Sequence, residues 1–461
     1  KMNPKTAPTR RTRWKQILAV AWPLIIANSF WNLQMTIDRI FIVQFSTDAM
    51  AAAMVFFGVF WAPMALVQQT AAYVTTFVAQ LFGAQRHKEI GSAVWQSIYV
   101  SIVGGLFFLL LIPLAPTIFA FMGHEERLQN LEVIYFQSMC PAALPTALVA
   151  AASGFFTGLG QSAVIMRINA VGMVFNVIFG YLLIFGKFGF PALGIVGAGY
   201  AAGLSTLLAA FYGFFLVFQK VNETKYATRS SWNFNPALLK RFLSYGLPSG
   251  MQWALEGLAF TVFLAIIGRM PNGAAGLAAS GISVTVMMLA ILPAFGMAQA
   301  VSVLVGQYLG ENRPDDAEKA SWSGLQVAWI YVFITASTFL LFPGFYLTWF
   351  HNAENAALWA QVQEIVPYIL MFVSAFILFD SMNLVFSFAL KGAGDTSFVS
   401  MVALTLPWPL MVLPTWLMKD FEGSIYWCWG AASVYIITQA LVFWRRFAGG
   451  KWKLMRVISE A

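Results

Sequence analysis

Charge is what this chain of 461 residues lacks: Asp, Glu, Lys and Arg make up 10% of it, while 59% is hydrophobic. A soluble domain carries about 25% charged residues because its surface must be hydrated, so a chain this apolar belongs in lipid. Cysteine is nearly missing as well. Cys140 and Cys428 lie far apart in apolar sequence, which excludes a disulfide framework, a cysteine-ligated zinc and an iron–sulfur cluster and leaves both as small buried hydrophobes. Histidine is equally scarce: His87, His124 and His351 fall in loops and form no HExxH or other ligand spacing, so metal-assisted hydrolysis lacks its parts. No serine is flanked as in a nucleophile elbow and no Walker sequence supplies an ATP motor. The chain reads as a non-enzyme without a cofactor. Its 27 basic residues against 19 acidic ones, a formal +8, would suggest nucleic acid in a soluble protein, but their positions point elsewhere.

Apolar runs of roughly 20 residues or more, long enough to cross a bilayer, recur from end to end. They cover 17–37, 50–83, 91–123, 133–166, 168–186 and 188–219 in the first half, then 242–268, 270–310, 320–353, 365–390, 396–418 and 423–444 in the second. Twelve helices are therefore predicted, since a spanning backbone must satisfy its own hydrogen bonds and runs this long are not barrel strands. The Lys1–Lys15 stretch holds six basic residues without a cleavage site, and is read as a cytosolic anchor before a retained first helix. With the N-terminus in the cytosol, 22 basic residues fall on that side. Only Arg127, Lys187, Arg269 and Lys419 fall on the other, and Arg39 sits within or at the end of helix 1. The positive-inside rule therefore predicts a multi-pass protein with both termini cytosolic. The basic surplus also meets anionic lipid at Lys1–Lys15, Lys220–Arg241 and Arg445–Arg456.

Three local patterns recur at nearly constant offset. Pro23 matches Pro248; Gln80-x-x-Gly83-x-x-Arg86 matches Gln307-x-x-Gly310-x-x-Arg313; Gly158-x-Gly160-x-Ser162 matches Gly392-x-Gly394-x-Thr396. Together they predict a duplicated six-helix unit, residues 1–221 and 222–461, joined at the long polar loop Lys220–Asn235. Six helices per half make the repeats parallel, and two bundles facing a central cleft are a transporter plan. The glycines of Gly392–Thr396 and Gly197–Gly203 are predicted to serve turns and close helix packing rather than phosphate binding.

Sixteen acidic residues are placed in loops, tails or helix ends; Asp38, Glu256 and Asp380 are left inside spans. A charge at the centre of a membrane helix costs roughly 2.5–3.5 kcal/mol on insertion scales, so such residues face a protein interior or a cavity. At about 1.5 Å per residue, Glu256 and Asp380 both lie near mid-membrane. Ser249, Gln252 and Glu256 share one helix face; Asp380, Asn383 and Ser387 share another. The two faces suggest a hydrated pocket whose paired carboxylates suit a reversible proton site or a sodium ion. Asp38 shares its face with Trp31, Gln34 and Met35, a mixed surface suited to an amphipathic organic molecule.

At these residues the chain resembles the multidrug and toxic compound extrusion (MATE) family, in its NorM-like branch. The resemblance runs through MTIDRI around Asp38, VAQLFGAQR after helix 2, YLLIFGKFGFPALGIVGAG across helices 5 and 6, GLPSGMQWALE ending at Glu256 and FDSMNLVFSFALKGAGDT around Asp380. It implies an all-α fold of two pseudo-symmetric six-helix bundles, acting as a monomer in the bacterial inner membrane. Drugs or toxins, cationic and amphipathic, would be exported in exchange for inward protons or sodium. The family's acids of helices 1, 7 and 10 fall on Asp38, Glu256 and Asp380, and its helix 1 proline on Pro23, where a kink is expected. Members with an N-half sodium site add an Asn, a second polar residue one turn later and a hydroxyl on helix 6. Here Asn176 is retained but the later positions are Gly180 and Ala198, which leaves that cage incomplete. A tyrosine one turn before the helix 10 acid is Phe376 here. A flippase for lipid-linked saccharides would need a large basic cavity for pyrophosphate, and a non-transporting receptor or channel does not explain the duplication.

Overall fold

In the computed structural model the described residues are 9–120, 126–350, 356–421 and 423–459. His124, His351 and the first eight residues of the basic N-terminal stretch lie outside them. Nearly everything described is helical, in the order α1 Arg10–Phe45, α2 Thr47–Ala72, α3 Val74–Gly83, α4 Ile90–Leu111, α5 Ala115–Ala120, α6 Glu126–Met139, α7 Ala143–Gly158, α8 Ser162–Phe185 and α9 Ile195–Val217. The second half continues with α10 Lys220–Tyr226, α11 Pro236–Gly268, α12 Gly273–Gly310, α13 Pro314–Leu341, α14 Pro343–Leu347, α15 Ala356–Ala393, α16 Thr396–Thr405, α17 Leu413–Met418 and α18 Ser424–Ala448. Among the described residues, eleven helical stretches are long and apolar enough to cross a membrane. The remaining run, 50–83, is covered by α2 and α3, which meet at Tyr73. The run 396–418 is also interrupted. Pro407, Pro409 and Pro414 remove backbone donors there, and the helix loosens into a π turn over Trp408–Val412 between α16 and α17.

Two compact units divide the chain. One comprises Lys1–Ile25, Leu255–Tyr308 and Arg313–Met455; the other comprises Ile26–Ala254, Leu309–Asn312 and Arg456–Ala461. The helices α1 and α11 each belong to both units: α1 passes from one to the other after Ile25, two residues beyond its internal Pro23, and α11 after Ala254, nearly two turns beyond its internal Pro248. A proline inside a helix removes one i→i−4 hydrogen bond, so these are the points where each helix is least stiff.

In the unit centred on α2–α9, aromatic edges fill the core: Phe60 lies 5.2 Å from Phe108 and 6.0 Å from Phe136, ring to ring. Small residues bring the backbones together where α9 starts. A Cβ on Gly197 would stand 2.5 Å from the Leu183 carbonyl oxygen. We expect Gly197→Ala to force α8 and α9 apart at a cost of about 3 kcal/mol, seen as a clear fall in the detergent melting temperature; an unchanged melt would disprove that packing role. Cys140 is buried and free, and so is Cys428 in the other unit.

The polar stretch joining the halves is more structured than expected. Lys220–Tyr226 is helical, and the chain just beyond it is pinned to α4: the Trp95 indole donates to the Thr228 carbonyl at 2.8 Å, and the Tyr99 hydroxyl to the Trp232 carbonyl. In the same unit the Val457 N–H donates to Gln80 Oε1 at 2.9 Å and Arg241 to the Ile458 carbonyl at 2.8 Å.

The unit holding α12–α18 packs Phe263 edge-on against Trp429 at 5.8 Å. Its Gly392–Thr396 segment is the expected turn. Gly394 takes φ +107°, and Asp395 leads into α16 while pairing with Arg446 at 2.6 Å.

Candidate functional site

Three helices of the unit holding α12–α18 each deliver polar side chains into an otherwise apolar core. Glu256 comes from α11, Asp380 and Asn383 from α15, and Gln439 from α18. Gln439 is buried; its Nε2 donates to Glu256 Oε1 at 2.8 Å, and its Oε1 accepts from Asn383 Nδ2 at 3.1 Å. The same Asn383 Nδ2 lies 3.5 Å from Asp380 Oδ1, the long limit of a hydrogen bond. Two amides thus bridge the two carboxylates. The polarity of the bridge is set by donor chemistry: an ionised Glu256 only accepts, so Gln439 turns its amino group toward it and Asn383 must donate to the carbonyl left over. The buried Asn383 Oδ1 makes no hydrogen bond among the described residues.

Two further groups complete this cluster. The Tyr435 phenol, one turn before Gln439, lies within electrostatic reach of both carboxylates. Phe376, where the resemblance calls for a tyrosine, is instead part of the apolar core; the phenol of this cluster comes from α18. Lys391 was expected at the cytosolic helix end. It is 4% exposed, with its Nζ 3.9 Å above the Phe388 ring and within electrostatic reach of Glu256. Ser387 is buried and bonds back to the Leu384 carbonyl. Ser249 and Gln252 precede Glu256 on α11, both buried, in the other unit.

That other unit carries the second set. Asp38 projects from α1, and the fully buried Asn176 amide on α8 lies beside its carboxylate without reaching hydrogen-bond geometry. Gly180, one turn on, faces the same group: a Cβ there would stand 4.0 Å from Asp38 Oδ1 and 3.2 Å from the Phe41 ring. Tyr135 on α6 lies within electrostatic reach of Asp38 and Arg39. Trp31 lies 5.1 Å from Trp61, ring to ring and tilted by 36°, and Gln34 and Met35 are half-buried.

One placement from sequence is corrected. Glu132, assigned to a helix end, is fully buried on α6 inside the candidate span Glu126–Gly158, a fourth interior acid. The charged cluster Glu125–Glu126–Arg127 ahead of it hid the start of the run. Gln439, Tyr435 and Tyr135 were passed over because only acids were screened. Intramembrane amides and phenols, Gln439 above all in the last run, were the available signal. Among the described residues no three His, Cys, Asp or Glu side chains gather as a metal site.

A polytopic helical bundle with carboxylates bridged inside its apolar core is the architecture of a membrane transporter. The MatE family model matches the chain twice, over residues 23–182 and 248–417, and the chain belongs to this family. The two matches begin at Pro23 and Pro248, the first of the repeated patterns. Curated relatives are distant. The chain is 23% identical to a probable multidrug resistance protein NorM of Thermotoga maritima over 97% of its own length and 94% of the relative's. It is 26% identical to one of Pseudomonas putida over 99% and 97%. Among solved structures it is similar to a crystal structure of MATE in complex with MaL6, at TM-score 0.86 and 20% identity, covering 96% of this chain and 97% of that one. It is similar in the same way to an outward-facing multidrug resistance MATE transporter of the MOP superfamily, at TM-score 0.86, 19% identity and 95% and 97% coverage.

Proposed function

We propose that the chain is a secondary-active multidrug efflux antiporter of the bacterial inner membrane, with both termini cytosolic. In this reading it works as a monomer, its halves 1–221 and 222–461 open alternately, and cationic amphipathic compounds leave in exchange for inward protons or sodium. The names of its relatives, probable multidrug resistance proteins NorM, support multidrug export. The coupling site rests on one observation, the amide bridge between Glu256 and Asp380.

Protonation reverses that bridge. A neutral Glu256 carries one O–H donor and one carbonyl acceptor; when the O–H faces Gln439, Gln439 turns its carbonyl toward it and its amino group toward Asn383. Asn383 must then offer Oδ1, the oxygen otherwise without a partner, and withdraw its amino group from Asp380. The state of one carboxylate is thereby felt by the other. A sodium ion would meet carboxylate, amide and phenol oxygens, which suit a hard cation. Lys391 supplies a resident positive charge near Glu256. For export, the ion-loaded site must favour a conformation of lower drug affinity, because a ligand shifts states only through differential binding. Asp38 would contribute a proton site, or changes in α1 around Pro23, linked to drug contacts at Trp31, Gln34 and Met35.

Dye efflux from proteoliposomes under separately imposed sodium and proton gradients tests this. Efflux driven by one or both is expected; response to neither removes the antiporter reading. Gly180→Asp is expected to place a second carboxylate against Asp38, with the Phe41 ring yielding, and to increase the sodium dependence of transport. Unaltered sodium dependence would show that Gly180 is not what keeps that cage incomplete.

A further inference from the structure

We propose that α13, α15 and α18 form a binding groove for an anionic glycerophospholipid of the leaflet on the side of the chain's N-terminus. The groove has a volume of about 890 Å³ and lies within one unit. Its walls are mostly apolar, with Trp322, Trp329, Ile330 and Phe333 on α13 and Leu441 and Trp444 on α18. Arg10, the first residue of α1, stands at one end.

Three features select the occupant. The first is length. From Trp322 to Ile334, both lining the groove, α13 rises roughly 18 Å, against roughly 15 Å for half of a bilayer's hydrocarbon core; the groove is one leaflet deep. The second is the order of chemistries along it. Arg10 is held over the Trp14 ring at 5.0 Å and offers a guanidinium for a phosphate. One turn below Trp322 comes Gln326, a polar amide at the depth of the ester carbonyls. Beyond it only apolar side chains remain, for an acyl chain. The third is sign. Among the described residues the groove's one charged side chain, Arg10, is cationic, so it complements an anionic headgroup and repels the amphipathic cations proposed as cargo. Its floor includes Leu378, Phe379 and Met382, the neighbours of Asp380, and the Trp329 indole donates to the Leu378 carbonyl at 2.9 Å. A lipid seated here lies against the helix turn that carries the coupling carboxylate.

The proposal rests on the membrane orientation given above, but its test does not depend on transport. Purified protein in detergent is titrated with phosphatidylglycerol or phosphatidylcholine and read by native mass spectrometry. Phosphatidylglycerol is expected to be retained about fivefold better. Arg10→Ala should abolish that preference, and Leu441→Trp should fill the groove and lower retention of both lipids. Leu441 is 44% exposed, so the larger ring displaces no core. Equal retention of the two lipids, or phosphatidylglycerol retention unaffected by either substitution, overturns the proposal. Displacement of bound lipid by tetraphenylphosphonium would assign the groove to cationic amphiphiles and overturn it equally. Loss of ion-driven efflux in the antiporter assay leaves these binding results unchanged, so the two readings fail separately.

Discussion

Glu256→Gln is expected to reduce ion-driven dye export by about 100-fold, equivalent to about 3 kcal/mol of lost ion binding, while the protein remains folded. The amide has nearly the shape of the carboxylate, and its carbonyl can still accept from the Gln439 amino group, so packing has no reason to change. What disappears is the negative charge and the reversible proton. Asp380→Asn should behave in the same way, because Asn383 lies beside it as it would beside the acid. The two sites share a bridge, so the double variant should lose little more than either single one; additivity is the expectation only for independent sites. Full export by either single variant in reconstituted vesicles would remove that residue from the coupling site.

Gln439→Leu isolates the bridge itself. Leucine fills most of the same space on α18 but neither donates to Glu256 nor accepts from Asn383. A hydrogen bond to a charged group contributes about 1.5–3 kcal/mol, so the ion concentration for half-maximal export should move by at least about tenfold. A purely structural glutamine would instead lower the melting temperature and leave that midpoint in place. Combining Gln439→Leu with Asn383→Leu should add little, since the first substitution already opens the chain of amides. A shift in midpoint confined to the Glu256 variant would mean that the amides only pack.

The span pattern was legible because it depends on one coarse quantity, the length of the apolar runs. The three carboxylates were legible for the related reason that an uncompensated charge in lipid is costly. Their partners were not. Gln439 lies 183 residues from Glu256, and nothing in a linear apolar run says which face of α18 meets α11. Glu132 was misplaced because the charges of 125–127 blurred the start of its helix, while its burial depends on helices distant in sequence. Gly180 was noted as a missing ligand; that it faces Asp38 depends on the pairing of α1 with α8. Lys391 shows the limit of the sidedness rule, which counts a basic residue at a helix end without asking whether its ammonium points outward.

The division of α1 and α11 between the two units bears on how the gene can be cut. A break between residues 221 and 222 respects the duplication, yet it separates Lys1–Ile25 from the rest of their unit and residues 222–254 from theirs. Neither half-gene product would contain a whole unit. Each should be degraded when expressed alone, and stable protein should return only when both fragments are made in the same cell and can exchange these segments during insertion.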